Sequence, residues 1–65
     1  MHLVFYRTSD VFAAEEALQE ENIATEIVPT PVQDKAYCGV CVQIHENDLD
    51  NSKLTLREFE YQEVP

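Results

Sequence analysis

From residue 2 to residue 7 apolar side chains fall on both sides of an extended segment, Leu3 and Phe5 on one and Val4 and Tyr6 on the other. β-Branched and aromatic residues favour a pleated surface, so this spacing predicts a central strand covered on both faces. Thr8-Ser9-Asp10 then offers side-chain oxygens to the free N–H groups of a following helix, with Asp10 at the positive end of its dipole. Val11, Ala14, Ala17 and Leu18 recur at helical spacing, while Glu15, Glu16, Gln19 and Glu20 point away. The pattern is that of an amphipathic helix lying on a sheet. Asn22 can close it in the left-handed conformation, with Ile23 packing back on the last turn.

A short second strand is expected over 25–28, stopped by Pro29, whose missing N–H cannot serve a ladder. The Pro29-Thr30-Pro31 segment must be extended, and a polar stretch over 33–36 leads to Tyr37-Cys38-Gly39. Gly39 is the only glycine, which predicts a positive φ or a close backbone approach there. Val40, Val42 and Ile44 alternate with Cys41, Gln43 and His45, as in a half-buried third strand with the second set outward. Asn47 can cap a short helix over 48–53. Leu49, Leu56 and Phe59 fit a helical stripe, but Leu54 and Leu56, then Phe59 and Tyr61, fit strand alternation better, and a last strand is expected over 58–64. The order is β-α-β-β-α-β. Two helices, the second short, on one face of a four-stranded, mainly antiparallel sheet bury this pattern economically, so a ferredoxin-like α+β sandwich is the expected fold.

Composition narrows the function. A chain of 65 residues makes one small domain, and its 45% hydrophobic content, with three Phe and three Tyr, is enough for a modest core. Against 13 Asp and Glu stand only four Lys and Arg, a net charge of −9. The four cations are scattered, which argues against nucleic acid, and the acidic balance would repel an anionic membrane surface. No apolar run is long enough to span a bilayer. Early acidic residues such as Asp10 do not fit a signal peptide, and two cysteines are too few for a secreted disulfide framework, so a cytoplasmic location is expected.

The strongest chemical feature is Cys38-Gly39-Val40-Cys41, two thiols at CxxC spacing where a proline-bounded loop enters a strand. A loop thiol is accessible, as a reactive cysteine must be. Cys41, inside the strand, fits either a small apolar residue or the second thiol of a reactive pair. A dithiol or zinc site is an alternative, because Cys41 and His45 share a strand face and Cys38 and His2 could join them, although structural zinc usually shows two paired motifs. The glutamates of the first helix and of the last strand read as solvated faces and form no acid/base pair. One glycine precludes a phosphate-binding loop, no Ser/His/Asp arrangement stands out, and no cofactor is expected. A classical enzyme is therefore poorly supported.

Several of these residues resemble a family of small bacterial domains described as putative selenium/sulfur carrier protein-like. The resemblance spans nearly the whole chain. It is carried by Phe5-Tyr6-Arg7-Thr8-Ser9, by the acidic helix ending before Ile23, by Ile27-Val28-Pro29-Thr30-Pro31, and above all by Cys38-Gly39 entering the third strand. It implies that Cys38 carries sulfur or selenium, as a persulfide or selenopersulfide, between donor and acceptor proteins, with Pro29, Thr30, Pro31 and Gly39 as its supporting loop. Val32 stands where members commonly have a basic residue, Ala36-Tyr37 where they have small hydroxyl residues, and Cys41 is an additional thiol that could resolve a Cys38 persulfide. The competing reading is a non-catalytic acidic module that docks on other proteins through its acidic helix or an exposed sheet edge. An exposed sheet edge could also pair two copies into a homodimer.

Overall fold

In the computed structural model, which describes residues 1–31 and 35–65, the chain forms β1 (His2–Phe5), α1 (Thr8–Glu20), β2 (Glu26–Pro29), β3 (Val40–Gln43), α2 (Leu49–Thr55) and β4 (Tyr61–Val64). The sheet runs β2-β3-β1-β4 and every pairing is antiparallel. This is the expected ferredoxin-like arrangement. Leu3 and Phe5 of β1 and Val42 of β3 meet Val11, Ala14 and Leu18 of α1, and Ile23, Ile44 and Leu56 complete the cluster. Edge and tilted contacts from Phe59 and Tyr61 to Phe5 extend it, with ring centroids 6.2 and 5.6 Å apart. Among the described residues, no helix is long and apolar enough to cross a membrane.

Element boundaries shift for identifiable reasons. β1 stops at Phe5, because Tyr6 is 47% exposed instead of lying in a covered central strand. Thr8, Ser9 and Asp10 are taken into α1 and do not cap it; Arg7 holds the cap position, its carbonyl accepting the Asp10 and Val11 N–H groups at 3.1 and 3.3 Å. Arg7 also pairs with Asp10 at 3.4 Å. Asn22 closes the helix at φ 61°, and the Ile23 N–H donates to Leu18 O at 3.0 Å, a left-handed cap as the sequence predicts.

Pro29 belongs to β2 after all. The Thr30 N–H donates to Gly39 O at 3.0 Å, so the alternation of an antiparallel ladder turns the Pro29 nitrogen towards the outer, unpaired side of an edge strand. A 3-10 turn, Glu46–Asp48, leads into α2, which starts one residue later than expected. The helical stripe wins over alternation: Leu56 is fully buried, Leu49 and Phe59 pack on the core, and Leu54 is 66% exposed. β4 accordingly begins at Tyr61, leaving Glu58 and Glu60 exposed ahead of it and Glu63 within it. Val32 and the first half of the polar stretch over 33–36 lie outside the described residues.

Candidate functional site

The site is built where β1 and β2 end and β3 begins. Ile44 and Met1 pair at the far end of the β1–β3 ladder, and Leu3 opposes Val42. Continued, that register would give Phe5 O the Val40 N–H, yet it accepts the N–H of Cys38, at 2.9 Å. The chain therefore bulges over Gly39 and Val40, and the bulge aims Cys38. Thr30 donates its hydroxyl to Cys38 O at 2.7 Å, so both backbone polar groups of Cys38 are engaged. Its thiol points to Val40 O at 2.8 Å, and the side chain, half-buried, packs on the helix-side core. Thr30 is half-buried, and Pro29 and Pro31 are exposed at the rim of the loop.

Gly39 does not meet the expectation placed on it. Its φ is not positive, and a Cβ there would have no heavy atom of the described residues within 4 Å, so neither backbone strain nor crowding among them requires a glycine. The flank beside Cys38 is simply open.

Cys41 lies on the outward face to which alternation assigned it but, unlike a polar outward residue, is not exposed there. It pairs with Val28, while Val4 pairs with Gln62, and the Leu3–Val42 register sets Cys41 beside Val4. All four side chains fall on the face away from the helices, yet Val4 and Cys41 are both 0% exposed. Tyr37 reaches across that face: its ring stacks on Tyr6 at 5.0 Å, and its hydroxyl hydrogen-bonds the Gln62 side-chain oxygen on β4. Burial pushes the Cys41 thiol above its ordinary pKa; the Thr30 hydroxyl beside it pulls the other way, and nearby Cys38 adds to the rise. Its thiol faces Pro29 O at 3.9 Å.

The two cysteines, both free, thus occupy opposite sides of β3 while remaining close enough for their charges to interact. His45 is exposed beyond the end of β3, and His2 lies on β1 opposite Gln43. Among the described residues, no three His, Cys, Asp or Glu side chains converge as a metal site would need. Tyr37 and Gln62 escaped the sequence reading. A tyrosine in a polar loop and a glutamine on an edge strand give no local sign that they meet.

A ferredoxin-like α+β domain that holds one cysteine at a bulged strand entrance and buries a second is the class these observations define. Within that class, the chain belongs to the family described as putative Se/S carrier protein-like, whose family model matches residues 1–63. Comparison with curated proteins and with solved structures finds no match.

Proposed function

We propose that the protein carries sulfur or selenium between cytoplasmic donor and acceptor proteins, with Cys38 as the carrying residue. The asymmetry of the two thiols is the observation that supports this most directly. Cys38 has its backbone tied to Phe5 and Thr30 and its side chain half-buried beside an open glycine, whereas Cys41 is sealed and harder to ionise. A fixed backbone presents one thiol in one place, which suits exchange with a partner's cysteine.

In the loading step the Cys38 thiolate attacks the outer sulfur of a donor persulfide. A Cys38–sulfur bond forms, the donor's sulfur–sulfur bond breaks, and the electron pair stays on the donor cysteine, which takes up the proton. Unloading is the same exchange with an acceptor thiolate attacking the outer sulfur and Cys38 leaving. Both steps are redox-neutral, and selenium would follow the same path. Membership of a carrier family supports protein partners on both sides of the relay.

Intact mass spectrometry after incubation with a cysteine desulfurase and cysteine tests this reading. The native chain and Cys41→Ser should each gain the mass of one sulfur atom, and Cys38→Ser should gain none. Equal uptake by Cys38→Ser would sink the assignment. Loss of two hydrogens from the native chain, in place of a gain, would favour the dithiol alternative.

A further inference from the structure

A carrier with a second thiol three residues away has an internal hazard. Once Cys38 bears a sulfur, a Cys41 thiolate that attacked the Cys38 sulfur would form a Cys38–Cys41 disulfide and break the bond to the outer sulfur. That sulfur would leave with the electron pair as hydrosulfide, taking the proton released by Cys41. No oxidant is needed, so only geometry prevents the discharge.

Tyr37 precedes Cys38 directly and is held at two points on the open side of the sheet, by stacking on Tyr6 of the β1 end and by its hydroxyl on Gln62 of β4. Gln62 pairs with Val4, and Cys41 is the next position on that face, across β1 on β3; Val4 and Cys41 are both without access to solvent. On the other side of the sheet, Cys38 packs with the helix-side core. A tyrosine anchored this way ties down the segment that would have to swing for the two sulfurs to meet.

We propose that Tyr37 is a positioning residue that preserves the cargo: it holds Cys38 on the side of β3 opposite the buried Cys41, so that a sulfur on Cys38 is delivered to a partner and not expelled as sulfide. This rests on the carrier reading above. Removing a side-chain anchor worth one or two kcal/mol raises the open population of such a segment roughly five- to thirtyfold.

The test loads native protein, Tyr37→Ala, Tyr37→Phe and the double variant Tyr37→Ala with Cys41→Ser from glutathione persulfide, removes the donor, and follows intact mass and released sulfide. Tyr37→Ala should lose its extra sulfur roughly five- to thirtyfold faster than native, ending two hydrogens lighter than the reduced chain, with sulfide released in equal amount. Tyr37→Phe, which keeps the stacked ring, should fall between the two. The double variant should hold its sulfur like native protein, a rescue that general loosening would not produce. Equal lifetimes for Tyr37→Ala and native, or loss that persists in the double variant, would overturn the proposal. Should Tyr37→Ala not fold by circular dichroism, Gln62→Ala removes the phenol's partner from an exposed site and takes its place. If even native protein accepts no sulfur, the carrier reading fails by itself. The tether is then decided by the rate at which the dithiol oxidant diamide closes a Cys38–Cys41 disulfide in the unloaded proteins, where faster closure in Tyr37→Ala supports it and unchanged closure refutes it.

Discussion

On the side of the sheet that carries the helices, Leu3, Phe5 and Val42 are buried by Val11, Ala14 and Leu18, residues spaced by the period of α1. On the opposite side Val4 and Cys41 are equally inaccessible, but there a loop tyrosine reaches over the strands to Gln62 and Tyr6. The first side is closed by a regular element with many apolar contacts, whereas the tyrosine on the second is held by a few side-chain contacts around its ring. A thiol can therefore be inaccessible on the face of a small sheet that carries no helix. The tyrosine that crosses this face directly precedes Cys38, the cysteine that is only half-buried.

The largest effect belongs to the helix side. Phe5→Ala removes a fully buried ring that touches both Phe59 and Tyr61, and a loss of about 3–5 kcal/mol is expected. A domain of this size has about that much stability in total, so urea titration followed by circular dichroism should find the variant largely unfolded without denaturant. Retention of most of the native stability would show that the core is not where the fold's stability resides.

A matched pair of smaller changes sets the two sides against each other. Val42→Thr and Val4→Thr each place a hydroxyl where a methyl group is fully buried, one under the helices and one near Tyr37. Each should cost about 1–3 kcal/mol if both sites are dry, with Val42→Thr at the upper end. A cost below about 0.5 kcal/mol for Val4→Thr would mean that water reaches the open side and that the comparison fails.

The smallest effect is a dependence on pH. Because burial raises the Cys41 thiol above its ordinary value, the folded state holds that proton more tightly than the unfolded chain does. Its stabilising contribution is complete below the unfolded pKa of about 8.5 and is lost as pH rises through the higher folded value. Native protein should thus lose stability between pH 8 and 10 relative to Cys41→Ala, as read from urea midpoints at each pH. Parallel curves for the two would indicate that Cys41 ionises freely. The Tyr61 phenol, also raised by burial and then by Glu63, adds a later loss common to both proteins.

Much of the fold was legible because local patterns carry it. The periodicity of Val11, Ala14 and Leu18, the left-handed closure at Asn22 and the alternation of Val40, Val42 and Ile44 each reflect geometry within a few residues. The errors share a cause. Thr8, Ser9 and Asp10 have the chemistry of caps, but β1 ends earlier than its apolar run, so Arg7 falls at the cap. Leu54 and Leu56 alternate, yet only packing on the core decides that Leu56 turns inward on the end of a helix.

The candidate site divides in the same way. Residue type and spacing were sufficient to single out Cys38 and Cys41 and the Pro29-Thr30-Pro31 segment, and to set the order of strands and helices around them. Whether Cys41 faces water could not be read there. Alternation assigns a side chain to a face of the sheet, while exposure depends on what crosses that face, and Tyr37 and Gln62 meet across 25 positions of sequence. The bulge at Gly39 and Val40 is likewise a contest between two N–H groups, those of Cys38 and Val40, for one carbonyl, that of Phe5, settled by the register of the assembled sheet. Local chemistry determined which cysteines are present and where along the fold they lie. Long-range packing decided which one is left within reach, because burial is a property of neighbours brought together only when the chain has folded.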